Sequence, residues 1–173
     1  LTGVLIQVIQ NLGERDRVIG LLDVRNAVET ENFMMLLHTL EVPQLPEAEE
    51  IYAIIENSIL RTRSLCEEHG SGFILVTYPW AHQVSDDEWI PGRRGFVPEG
   101  AAISDRTVNR LGEFSEKNGI VFFNAFPEFR AYSGDAHLYY GHDMHWTPAG
   151  HKLYAESLAG FLEGYFSVQQ SEN

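Results

Sequence analysis

The sequence predicts an α/β fold, a layered sandwich in which parallel strands are joined by crossover helices. Three observations predict it. Three short apolar runs, "RVIGLLDV" (17–24), "GFILVTYP" (72–79) and "IVFFNAF" (120–126), have the length and continuity of strands buried on both faces. Amphipathic stretches separate and follow them, giving the strand–helix alternation of a parallel sheet. Each run ends on polar or aromatic residues: Asn26 after the first, Tyr78, Trp80 and His82 after the second, Asn124 on the third. In such sheets ligands gather beyond the carboxyl ends of the strands.

The elements follow in order. Residues 3–13 carry Val4, Leu5, Val8, Ile9 and Leu12 at helical spacing, with Gly13 as a stop. The strand over 17–24 leads into helical or irregular chain to about Leu40, then a linker marked by Pro43 and Pro46. The most regular helical pattern is "LPEAEEIYAIIENSILRTRSLCEEHG", with Pro46 near its start, acids in its first turn and Gly70 just past its end. Ile51, Ile54, Ile55, Ser58, Ile59, Leu65 and Cys66 keep largely to one of its faces. After the strand over 72–79, the chain from Trp80 to about Ser104 is polar, acidic and rich in Gly and Pro, and reads as a long loop. A loop of that length inside a compact domain is usually functional or disordered. A helix over roughly 105–118 ends at Gly119, and the strand over 120–126 follows. The last helix opens with Thr147 as N-cap and Pro148 at its first position. Leu153, Tyr154, Leu158, Phe161, Leu162 and Tyr165 form its apolar stripe.

At 173 residues, 44% hydrophobic and 21% charged, the chain reads as one globular domain. A net charge of -13 argues against nucleic acid and against anionic membrane surfaces. The single Cys66 rules out an internal disulfide framework, and its place on an apolar stripe suits a packed thiol. No run of about 18 apolar residues spans a bilayer. The chain opens "LTGVLIQVIQNLGERDRVIG", without initiator Met or signal-peptide pattern, and is expected to be part of something longer.

The chemistry concentrates in "AHLYYGHDMHWTPAGHKLYAESL". His137, His142, His145, His151 and Asp143 fall within fifteen residues, in the connection between the third strand and the last helix. That position puts them on the same rim as the other strand exits. In extended chain, Asp143 and His145 at i and i+2 point to one side, so the carboxylate can fix one imidazole nitrogen and leave the other as a general base. This is the orienting half of a Ser-His-Asp triad; an Asp-His pair that only caps a loop is the plain alternative. A zinc site drawn from His137, His142, Asp143, His145 and His151 is a chemical rival, though the spacing matches no common zinc signature. A non-catalytic carbohydrate-binding module is another, with Tyr132, Tyr139, Tyr140, Trp80, Trp89 and Trp146 as stacking surface.

The longer string "YY-x-x-D-x-H-W-T-P-x-G-H", ahead of an amphipathic helix, resembles the last sequence block of the SGNH/GDSL hydrolases. It is closest to the D-x-H-W-T branch that includes alginate-type O-acetyltransferase-like proteins. "FILVTYPWAHQV", "VFFNAFPEFRAY" and "RVIGLLDVRNAVETEN" extend the likeness over roughly residues 17–165. The resemblance implies a three-layer α/β/α sandwich of flavodoxin-like type, with Asp143 as triad acid and His145 as general base. It implies Asn26 as an oxyanion-hole donor, although Val24-Arg25-Asn26-Ala27 departs from the family's Gly-x-Asn-Asp. Tyr78, Trp80, His82, Tyr140 and Trp146, with the 81–104 loop, would shape an acyl or sugar pocket. The implied chemistry needs no cofactor and no metal: hydrolysis or transfer of an acyl group, acetyl foremost, on a small ester or an acetylated carbohydrate through a serine acyl-enzyme. The family's Gly-Asp-Ser block is missing, and Ser104 and Ser133 do not sit at strand-to-helix elbows. The resemblance therefore implies a serine outside this segment and a domain incomplete at its N-terminus. Its uncovered strand edges would favour self-association.

Overall fold

The computed structural model describes residues 39–40, 46–97 and 100–171; the helix expected over 3–13, the strand expected over 17–24 and Asn26 lie outside them. The described elements run α1 (Pro46–Glu68), β1 (Ile74–Thr77), α2 (Ala81–Val84), α3 (Ile90–Phe96), α4 (Arg106–Lys117), β2 (Val121–Asn124), α5 (Phe126–Arg130) and α6 (Pro148–Ser171). β1 and β2 pair in parallel as a two-stranded sheet, so the chain is mixed α/β with helix in the majority. The chain forms two compact units. One takes the described residues up to Ile74 together with Ala102–Val121; the other takes Leu75–Ala101 and the described residues from Phe122 onward.

The first unit is built on α1 and α4. α1 buries Ala48, Ile51, Tyr52, Ile54, Ile55 and Ser58, and α4 buries Val108, Leu111 and Ser115. Polar contacts join the two helices. The Tyr52 hydroxyl lies 2.8 Å from Thr107 Oγ1. Arg110 bonds Glu56 at 2.7 Å and both Glu49 oxygens at 2.9 Å, with its guanidinium 4.3 Å above the Tyr52 ring. The apolar stripe foreseen for α1 holds through Ser58 and then fades: Ile59 and Cys66 are half-buried and Leu65 is 49% exposed. The reason is length. α1 has 23 residues, about 34 Å, and α4 has 12, about 18 Å. Arg63 already reaches the Asn118 carbonyl at the end of α4, at 2.6 Å, so Leu65 lies beyond the partner helix.

Both helices that feed strands stop in the same way. Ser71 N donates to Cys66 O and Gly70 N to Glu67 O; Ile120 N donates to Ser115 O and Gly119 N to Glu116 O. Gly70 and Gly119 have φ of 68° and 62°, the left-handed turn that this double hydrogen-bond closure requires and that costs glycine least.

In the second unit the sheet packs under α6. Phe123 of β2 lies 5.0 Å from Phe161 and 6.1 Å from Tyr154, ring centroid to centroid. The six stripe residues of α6 are all half-buried, while Phe166 and Val168 beyond them are 54% and 57% exposed. Two four-residue strands offer about 13 Å of length, too little to cover a 24-residue helix of about 36 Å. Much of the segment expected to be a long loop is helical instead. α2 and α3 are four and seven residues long, too short to leave a periodic signature in the sequence.

Candidate active site

Leu138 and Thr147 form the foot of a small hairpin. Thr147 N donates to Leu138 O at 2.9 Å, Tyr139 and Trp146 make an antiparallel bridge, and Tyr140 N donates to His145 O at 3.1 Å. Residues 141–144 are left as its tip. Thr147 then caps α6: its hydroxyl accepts from Gly150 N at 3.3 Å and donates to His137 O at 2.6 Å, with Pro148 opening the helix. The cap foreseen at Thr147-Pro148 is therefore also the anchor of the hairpin. Gly150 fits because it lacks a side chain, since a Cβ there would lie 2.3 Å from Leu138 O.

The foot is held from three further directions. Glu88, 6% exposed, accepts the amides of Leu138 and Tyr139 on its two carboxylate oxygens, at 2.9 and 3.1 Å. The buried Tyr139 hydroxyl donates to Pro79 O, two residues past β1, and burial raises its pKa. Trp146 packs in an aromatic cluster with Tyr78 at 4.5 Å, Tyr154 at 4.8 Å, His151 at 5.3 Å and Phe129 at 5.6 Å.

At the tip, Asp143 Oδ1 accepts the backbone amide of His145 at 2.8 Å and lies 3.1 Å from His145 Nδ1. The amide hydrogen bond, and then the His145 ring, hold the Asp143 carboxyl below the usual carboxylate range. The side chains of His145 and Asp143 are 87% and 59% exposed. Among the described residues, no serine hydroxyl is bonded to the His145 ring, and Ser104 Oγ accepts from Arg106 N at 3.2 Å.

The sequence-derived pocket residues scatter. Tyr78 and Trp146 are half-buried and touch each other. Tyr140 is 50% exposed on the hairpin. Trp80 is half-buried, 6.0 Å from the His82 ring. His82 is 2% exposed, and neither ring nitrogen has a hydrogen-bond partner among the described residues. Burial foremost, and then the charge of Arg93, push its pKa down to about 4. Its ring faces the core. Among the described residues no group of three His, Cys, Asp or Glu side chains is arranged to hold a metal.

Sequence reasoning missed Glu88. Inside "SDDEWIPG" it is one acid among three, and only the fold reveals that it alone turns inward to reach residues fifty positions away. Trp89 beside it has φ 58° and ψ 34°, an outlier for a bulky residue; this turn lets two consecutive side chains both be buried. Compared with known proteins, the chain matches no family model, no curated protein and no solved structure.

Proposed function

We propose that this chain carries the acid–base half of an acyl-transfer centre, acting as a serine esterase on an O-acyl ester, acetyl foremost. One observation carries the reading: His145 Nδ1 lies 3.1 Å from Asp143 Oδ1 while the imidazole stands 87% exposed, leaving Nε2 open to a reactant. An ion pair that exposed adds little to stability, so the support for the reading is the open imidazole beside its carboxylate.

In the proposed reaction Nε2 takes the proton of an attacking serine hydroxyl as its oxygen bonds to the acyl carbon. The tetrahedral oxyanion collapses, the alcohol leaves with the proton from Nε2, and water repeats the sequence to release the acid. Asp143 stabilises the imidazolium formed in each half. A sugar hydroxyl in place of water gives acetyl transfer by the same steps. In this proposal the serine is supplied from outside this segment. The same proposal takes β1 and β2 as two strands of a three-layer sandwich.

The test measures acetate release from 4-nitrophenyl acetate and from acetylated oligosaccharides by the full-length protein and its H145A variant. General-base catalysis accounts for about 10²–10⁴-fold, and a loss of that size is expected. Turnover unchanged in H145A rejects the proposal.

A further inference from the structure

One buried imidazole takes no part in the proposed chemistry. His82, on α2, is 2% exposed, and neither of its ring nitrogens has a hydrogen-bond partner among the described residues. Its ring lies 6.0 Å from the Trp80 ring and 6.1 Å from the Trp89 ring. We infer that His82 is an acid-sensitive latch on the hairpin: on taking a proton it leaves the indoles, the turn at Trp89 relaxes, and Glu88 comes off the amides of Leu138 and Tyr139. The inference concerns how the hairpin is held, and it stands whether or not the tip is catalytic.

Burial makes the latch sensitive. A neutral imidazole is tolerated among aromatic rings, whereas an unpaired charge there is costly. The charge that acts on the ring, from Arg93 of α3, is itself positive, and Arg93 is engaged with Asp86 at 2.6 Å and Ser85 O at 3.0 Å. α5 packs on α2 and brings Glu128 and Arg130, with Arg130 Nε donating to Gln83 O at 2.8 Å. Asp86 and Asp87 on the loop after α2 are exposed, and Glu88 is taken by the foot. None of these carboxylates bonds the His82 ring. A proton at His82 therefore meets burial and a like charge with nothing to offset them, and the favourable escape is into solvent.

The connection to the hairpin runs through Trp89. Its φ of 58° and ψ of 34° are a backbone state that a bulky residue keeps only when its surroundings impose it. Those surroundings include the His82 ring and Gly92, where a Cβ would collide with the indole. Glu88 comes immediately before this turn, and its carboxylate takes the two foot amides at 2.9 and 3.1 Å. Withdrawing the imidazole removes part of what imposes the turn. α2, four residues long, is too short to hold its place on its own hydrogen bonds.

The experiment follows backbone amide exchange in the full chain from pH 7 to pH 4, with each rate divided by its intrinsic value at that pH. His82 is held down to about 4 in the folded chain and titrates near 6.5 once solvated. The opening that frees it therefore grows about a hundredfold as pH falls across that range. The Leu138 and Tyr139 amides are expected to lose protection by that factor, and to stay less protected throughout than the slowest amides of the chain, because the opening is local. In His82→Phe, which carries no proton, their protection should hold. Equal loss in His82→Phe would assign the release to another group, Glu88 foremost, and overturn the latch. So would Leu138 and Tyr139 amides that match the slowest ones at every pH, since they would then open only with the whole fold. If His82→Phe does not fold, the parent's His82 ring signals decide: a midpoint near 4 supports the latch, and one near 6.5, which links no proton to the opening, overturns it.

Discussion

The hairpin carries two carboxylate–imidazole pairs, and they are built in opposite ways. At its foot Glu88 is buried, both its oxygens are occupied by backbone amides, and His137 lies at its edge. At its tip Asp143 stands in solvent, and its contacts come from His145 two residues away. The foot is bound by long-range contacts to residues fifty positions distant, the tip by local ones. A carboxylate of the first kind holds a fold together; one of the second kind is free to take part in chemistry. A reactive pair is more precise when its support is rigid, and under the proposed function the hairpin divides those two duties between its ends.

The sharpest way to break the comparison is to remove the foot. Glu88→Ala strands two buried amides, each costing roughly 1–3 kcal/mol when unsatisfied, so a destabilisation of about 4 kcal/mol is expected in urea or guanidinium unfolding. Glu88→Gln keeps one carbonyl acceptor and should cost less. A Glu88→Ala variant as stable as the parent would show that Glu88 does not hold the hairpin.

A second way uses pH. His82 sits behind the foot, its ring 6.1 Å from the Trp89 ring, with a pKa pushed down to about 4 by burial first and Arg93 second. In the unfolded chain an imidazole titrates near 6.5. Between these values the unfolded state binds the extra proton, so stability falls as pH falls from about 6.5 to about 4, by roughly 3 kcal/mol in all. His82→Phe, which keeps a flat ring and carries no proton, should flatten that window. The denaturation midpoint measured from pH 7 to pH 4 checks it, and a variant with the parent's acid sensitivity counts against the assignment.

Sequence and structure agree where the signal is local. Pro46, Gly70, Gly119 and the Thr147-Pro148 pair mark helix ends because capping and left-handed turns are decided by a few adjacent residues. β1 and β2 are legible as apolar runs; the first is trimmed by two residues at each end to Ile74–Thr77, the second by one at its start and two at its end to Val121–Asn124. The i, i+2 spacing of Asp143 and His145 is enough to foresee their proximity, since it depends on one turn of backbone. What stays hidden is long-range. Glu88 looks like Asp86 and Asp87 until the fold brings Leu138 and Tyr139 to it. His82 sits at a strand exit, where ligands are expected, yet α2 turns it into the core. Leu65 belongs to the stripe of α1, and only the shorter length of α4 explains its exposure.

A smaller effect tests the joint between the hairpin and α6. Gly150→Ala places a methyl 2.3 Å from Leu138 O and 3.0 Å from Trp146 Cβ, and the backbone must shift to admit it. Overpacking of this kind costs about 2 kcal/mol, measurable as a lower thermal midpoint. Because the strain falls on the strand that leads into the tip, the His145 side-chain NMR signals should move as well. A Gly150→Ala variant of parental stability with an unchanged His145 spectrum would mean that the joint does not transmit to the tip.

The smallest effect on stability is expected at the tip, together with the largest effect on turnover. Asp143→Asn removes the negative charge but keeps an oxygen for the His145 amide, and both side chains are mostly in solvent, so the unfolding midpoint near neutral pH should stay where it is. The pH dependence follows from the depressed Asp143 carboxyl. A group of that kind supports the fold above its unfolded pKa and loses that support as pH drops through its lower folded value, and a pair this exposed contributes little, so the variant should differ from the parent by at most a small, constant offset between pH 5 and pH 8 that closes in acid. Turnover of acetyl esters should separate them in the same range: without the charge, His145 loses both its fixed tautomer and the stabilisation of its imidazolium, and a fall within the general-base range of about 10²–10⁴-fold is expected. If Asp143→Asn instead shifted the unfolding midpoint as far as Glu88→Ala, the tip would be a structural element like the foot, and the division of duties along the hairpin would not hold.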